Sequence, residues 1–184
     1  MAISRICERR VVKLVESPEK REKLSLAYTG GSMYAYHGTP NSIPHHILSL
    51  GAVTHSERGS FGSGFYLADY FAAIEYANDG DVHAFWVERG KLFQAEASYE
   101  VGEQFDLETA ALPLISALFS VPLYEAAELF RRWSCCDGLL GDEIKQQVKR
   151  LGFDGVWLDY GLDDCFEAVV YDSQITQYLK TIQP

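Results

Sequence analysis

Gly-Ser-Phe-Gly-Ser-Gly-Phe-Tyr-Leu-Ala-Asp, residues 59–69, sets glycine-rich turn chemistry directly against a short apolar run and a helix cap. The run Phe65-Tyr66-Leu67 has strand character, and Asp69 is placed to cap a helix from Tyr70 to Ala77, to which Phe71, Ile74 and Tyr76 give apolar material. A glycine-rich loop that feeds a strand and then a helix can cradle a phosphate. Here the lysine of a P-loop is missing, however, and Gly62 and Gly64 do not complete a dinucleotide fingerprint, so both of those readings fail. What remains is a pair of tyrosines, Tyr66 on the strand and Tyr76 on the helix. They are able to face each other across a flat aromatic ligand or to pair in a core.

Working outward, Met33-Tyr34-Ala35-Tyr36-His37 predicts a strand that stops at Gly38-Thr39-Pro40, where proline cannot continue a ladder. A helix is expected from about Pro18 to Ala27, ended by Gly30-Gly31, and another from Ser42-Ile43-Pro44 to Leu50, closed by Gly51. Val82 to Val87 reads as a buried strand, with a second extended segment after Gly90. Residues 107–151 look helical, in segments Leu107–Phe119, Pro122–Trp133 and Asp142–Leu151. Strand character returns at Gly155-Val156-Trp157-Leu158 and at Glu167-Ala168-Val169-Val170-Tyr171. Strands at both ends with helices between them indicate an α+β fold rather than a regular βαβ series.

A chain of 184 residues with 47% hydrophobic content has material for one core, so a single domain is expected over 1–184, with a helical extension at 1–30 and a helical insertion at 104–151. The net charge of -10 is unevenly spread: residues 1–30 hold seven Lys/Arg against four Asp/Glu, leaving nine against 22 in the rest. An acidic body repels phosphate backbones, which makes nucleic acid an unfavoured partner. The basic opening reads either as a solvated mixed-charge helix or as a surface for a partner or membrane.

No apolar run is long enough to cross a bilayer, and the N-terminus lacks the basic-then-apolar pattern of a signal peptide. A cytoplasmic location is expected, or delivery into a host cell without a cleaved signal. Cys7, Cys135, Cys136 and Cys165 show no paired metal spacing and are expected as reduced thiols. His45-His46 and His55 do not suggest a metal either, because adjacent residues on a helix point about 100° apart.

Two further clusters carry chemistry. In Tyr36-His37-Gly38-Thr39, a histidine at a strand end is followed by a residue without a Cβ, which lets a ligand approach the backbone while the ring offers a donor for a hydroxyl. In Asp163-Asp164-Cys165-Phe166-Glu167-Ala168-Val169-Val170-Tyr171-Asp172, a glutamate opens an otherwise apolar strand, an expensive place for a carboxylate without a task or a partner. Taken singly, each has an ordinary alternative: a satisfied histidine, or a salt-bridged edge glutamate.

Taken together and in this order, the three clusters resemble the ADP-ribosyltransferase superfamily, in the His-Tyr-Glu branch that includes diphtheria toxin and the poly(ADP-ribose) polymerases. The matching stretches are Tyr36 to Thr39, Gly64-Phe65-Tyr66 with Ala68-Asp69, and Glu167 with Val170-Tyr171-Asp172. The resemblance covers roughly residues 33–98 and 152–180. It implies a split β-sheet core around an NAD cleft, with NAD as co-substrate and no metal.

The resemblance further implies that His37, Tyr66 and Glu167 are catalytic, and that His37, Gly38, Thr39, Gly64, Tyr66 and Tyr76 bind NAD. His37 would bond the adenosine ribose, the Gly38 backbone the carboxamide, and Tyr66 and Tyr76 would sandwich the nicotinamide. Glu167 would hold the ribose 2′-hydroxyl and stabilise the oxocarbenium-like transition state.

Two positions depart from the family pattern. Tyr76 lies one residue nearer Tyr66 than usual, and Cys165 stands where arginine-modifying members carry Glu or Gln, which disfavours arginine as acceptor. The expected activity is mono-ADP-ribosylation of a protein side chain. An NAD glycohydrolase, or a non-catalytic module binding NAD or ADP-ribose, stands as the alternative.

Overall fold

The computed structural model describes residues 33–40, 59–97, 107–161 and 165–182. The expected helices at 18–27 and 42–50, and the 1–30 extension, lie outside the described residues, as do Cys7, His45, His46 and His55. The strands are β1 (Met33–Thr39), β2 (Phe65–Ala68), β3 (Asp81–Val87), β4 (Phe93–Glu96), β5 (Gly155–Asp159), β6 (Phe166–Val170) and β7 (Thr176–Ile182). The helices are α1 (Tyr70–Ala77), α2 (Leu107–Phe119), α3 (Leu123–Ser134) and α4 (Leu139–Arg150). The class is α+β, with one mixed sheet in the order β4-β5-β6-β2-β1-β3-β7; only β4 and β5 run parallel.

The sheet is firm on both flanks and loose in the middle. β1 pairs with β3 along its whole length, from Met33↔Val87 to Thr39↔Asp81, and β2 pairs with β6 from Phe65↔Val170 to Ala68↔Glu167. β1 and β2 meet in register at Tyr36↔Ala68. This puts Tyr36, Ala68, Glu167 and Leu158 in one row across four strands.

Strand alternation sends Phe65, Leu67, Phe85, Trp157, Phe166 and Val170 to one face, where they form one apolar cluster. Val156, Leu158 and Val169 go to the other face, under α2–α4. α1 covers the β1–β3 end of the sheet. Its Ala73 and Ala77 pack with Val82 and Tyr36, and a Cβ on Gly38 would overlap the α1 backbone at the Ala73 carbonyl. Gly38 is thus demanded by the close approach of helix to strand.

Other boundaries moved for physical reasons. β1 continues through Gly38 and Thr39 because β3 pairs with both, and it ends at Pro40. Asp69 caps α1 as expected, accepting from the backbone N–H groups of Phe71 (2.9 Å) and Ala72 (3.2 Å). α4 begins at Leu139, three residues before the expected Asp142, because Leu140, Ile144 and Val148 bury a stripe at four-residue spacing that overrides Gly141 as a breaker. β7, whose Gln177 and Lys180 interrupt its apolar pattern, was not expected; it is recruited by pairing with β3.

Helix α4 grips the glycine-rich loop. The Lys145 ammonium of α4 donates to the Ser63 carbonyl and to Ser63 Oγ, both at 2.6 Å, and sits over the Tyr171 ring. The Tyr171 hydroxyl donates to the Phe61 carbonyl. A Cβ on Gly141 would stand 2.6 Å from the Gly59 carbonyl oxygen and 2.6 Å from the Gly62 nitrogen. Gly141 therefore lets a helix backbone rest directly on a loop backbone. Gly141→Ala is expected to cost about 1–3 kcal/mol by overpacking, measured by urea unfolding. Gly90→Ala, where a Cβ meets nothing within 4 Å, should stay within about 0.5 kcal/mol of wild type.

Candidate active site

A cleft of about 400 Å³ opens where β1 and β2 part. It is lined by Tyr36, His37, Gly38 and Pro40 at the end of β1, by Gly59 and Ser60 of the loop, by Tyr66, Leu67 and Ala68 of β2, by Ala73 and Tyr76 of α1, and by Glu167 of β6. The structure thus brings together His37, Gly38, Tyr66, Tyr76 and Glu167. Thr39 and Gly64 are not in the lining. Thr39 is buried, and its hydroxyl has no hydrogen-bond partner among the described residues. Gly64 is glycine because a Cβ there would stand 2.7 Å from Val169 Cγ2 and 2.8 Å from the Val170 carbonyl oxygen on β6.

His37 bridges the parted strands. Its ring rests on Phe65, with centroids 4.7 Å apart, and its Nδ1 lies 2.8 Å from the Tyr66 carbonyl oxygen. A carbonyl only accepts, so Nδ1 carries the proton, and burial holds the imidazole pKa below its ordinary value against the opposing effect of this bond. The neutral ring leaves Nε2 as an acceptor. A ligand hydroxyl would therefore donate to His37, the reverse of the polarity expected from sequence.

Tyr66 is a fixed platform. Its hydroxyl accepts from the Phe61 N–H at 3.0 Å and donates to the Gly62 carbonyl at 2.8 Å, and a Cβ on Gly59 would overlap its ring. Burial raises its pKa well above the ordinary phenol value, and the nearby Glu167 charge adds to this. Tyr76, on α1, is half-exposed, and burial and then the charge of Glu167 push its pKa up to about 12. Both phenols feel the same carboxylate, so the three groups share one cleft.

Glu167 is the second residue of β6, one place inside the strand end. One of its oxygens, Oε2, accepts from the Tyr160 hydroxyl at 3.0 Å. Burial raises its pKa from 4.5 to about 7, against the lowering effect of that hydrogen bond. Tyr160 and Lys145 were missed from sequence. The glycine-rich run did flag Gly59, but nothing near Tyr160 or Lys145 marks them, because each acts on a residue brought close only by folding. Asp163 and Asp164, which precede Glu167 in the third cluster, lie outside the described residues. Among the described residues, no group of three His, Cys, Asp or Glu side chains is placed to hold a metal ion, and no single helix is long and apolar enough to cross a membrane.

No family model matches the chain, and no curated protein matches it in sequence. Among solved structures, the crystal structure of an anti-CRISPR protein covers 81% of this chain and 96% of that one at 15% identity. The TM-score is 0.34, too low to carry an argument.

The electrostatics of Glu167 can be tested through stability. Between pH 4.5 and about 7 the folded carboxyl keeps a proton that the unfolded chain has lost, so its contribution to stability falls as pH rises through that window. Glu167→Gln should match wild type in Tm at or below pH 4.5 and exceed it above neutrality, by roughly 1–3 kcal/mol in stability. Equal melting temperatures at pH 8.5 would contradict a buried, costly charge.

Proposed function

We propose that this protein transfers ADP-ribose from NAD to a protein side chain and releases nicotinamide. The observation that supports this reading is the convergence of His37, Tyr66, Tyr76 and Glu167, from three strands and a helix, on one cleft. Two tyrosine rings and one carboxylate are suited to a cationic aromatic ring, which gains cation–π and Coulombic attraction together. The described lining contains no Lys or Arg, so it fits the pyridinium and ribose end of NAD rather than the pyrophosphate.

The chemistry follows from charge. The bond from ribose C1′ to the pyridinium nitrogen breaks with its electron pair going to nitrogen, which neutralises the ring. Positive charge builds on the ribose, and the acceptor's nucleophile then bonds C1′ and loses its proton. Glu167 favours the transition state because its charge faces the growing cation, an effect worth about a hundredfold to a thousandfold per group. His37 Nε2 would accept from a ribose hydroxyl, and the fixed Tyr66 ring with Tyr76 would hold the leaving nicotinamide flat. Arginine is the disfavoured acceptor, since Cys165, buried beside Glu167, offers no carboxylate or amide.

With labelled NAD and a cell lysate, wild type should place label on a protein band. Free ADP-ribose with no labelled band would instead indicate hydrolysis, and bound but intact NAD a binding module. Glu167→Ala should lower nicotinamide release by at least about a hundredfold while NAD affinity stays within about tenfold. The anionic carboxylate is the working form, so wild-type turnover should rise through a midpoint near pH 7. A flat profile from pH 6 to 8 would count against Glu167.

A further inference from the structure

Tyr160 directly follows β5, and its N–H donates to the Cys165 carbonyl at 3.1 Å, closing the turn between β5 and β6. Its ring is 3% exposed and packed in the cluster that contains Leu158, Cys165 and Val169. A ring held in this way cannot swing, so its hydroxyl is delivered to a fixed point, 3.0 Å from Glu167 Oε2. Among the described residues this is the hydrogen bond made to that carboxyl group.

We infer that Tyr160 is the positioning residue of the cleft carboxylate: it donates its hydroxyl to one oxygen of Glu167 and thereby fixes the other toward the substrate. The inference rests on reading the cleft as one that cleaves NAD. A glutamate side chain has three rotatable bonds, and a freely turning carboxylate would lose much of its directed stabilisation. An oxygen tied by a buried donor removes that freedom before substrate arrives, which is how preorganised electrostatics work. The donated bond also favours the anionic form, opposing burial.

The groups facing Glu167 from the neighbouring elements are Tyr66 of β2, Tyr76 of α1 and Tyr160 after β5, with His37 of β1 in the same cleft. Tyr66 spends its hydroxyl on the Gly62 carbonyl, and Lys145 of α4 points to Ser63 and Tyr171. Tyr160 is therefore the described group that aims this carboxylate, and its hydrogen bond opposes the burial that raises the carboxyl pKa.

Tyr160→Phe keeps the buried ring and removes the donor. It is expected to lower kcat for nicotinamide release at pH 7 roughly tenfold, with KM for NAD changed less than about threefold. The acid limb of the pH–rate profile should move up by about one unit. The Glu167 carboxyl carbon, labelled with 13C and assigned by its loss in Glu167→Gln, should titrate higher in step. Site-specific 3-fluorotyrosine at position 160, isosteric and a stronger donor, should move that titration the other way.

A Glu167 titration unmoved by either change overturns the inference, as does a fall in kcat that leaves the acid limb in place. Should wild type release no nicotinamide while the titration still shifts with both changes, the hold of Tyr160 on Glu167 stands and the NAD-cleaving reading falls.

Discussion

The hydrogen bond from His37 Nδ1 to the Tyr66 carbonyl is the contact on which the cleft depends. In an unbroken antiparallel ladder that carbonyl would be satisfied by the backbone of the next strand. Here β1 and β2 meet at Tyr36↔Ala68, and beyond that pair a side chain does the work of the ladder. A strand carbonyl left buried and unpaired costs on the order of 1–3 kcal/mol, so the strands can part at this point only because the imidazole takes its place. The same bond fixes the tautomer, and the tautomer fixes what the ring can offer a ligand. Sheet geometry and site chemistry are settled by one proton.

The second wall of the cleft is held from further away. Tyr66 is anchored to the 59–62 backbone, and that backbone is anchored by Lys145, Tyr171 and the bare surface of Gly141. Helix α4 is therefore a brace for the loop that holds Tyr66, joined to it by direct backbone contact and by the two hydrogen bonds of the Lys145 ammonium. At Gly141, α4 is packed against that loop with no room for a methyl group.

Much of this was legible in the sequence. Asp69 as a cap, the strands around Phe65, Val82 and Val156, and the helices of 107–150 all follow from periodicity and punctuation, and each appears in the structure with small shifts of boundary. The association of His37, Tyr66, Tyr76 and Glu167 came from the order of three motifs, and the cleft contains all four. Glycines carry packing reasons that the sequence did not show. Gly38 and Gly64 are each required by a helix or strand pressing close; sequence shows that a Cβ is missing but not what would have struck it. Tyr160 and Lys145 were invisible for the complementary reason. Their meaning lies wholly in contacts across the fold, 3.0 Å and 2.6 Å long, to residues that chain distance does not connect.

Glu167 joins these threads through its cost. A sheet that only needed to be stable would place an apolar residue at that position, between Leu158 and Ala68, where burial taxes a charge. The structure leaves it ionisable near neutrality, with a tyrosine donor opposing the burial that raises its pKa. A binding module would gain affinity as well from a neutral hydrogen-bonding side chain and would avoid the penalty. Under the proposed function the arrangement has a use, because a fixed anion acts most strongly on a short-lived state in which positive charge develops.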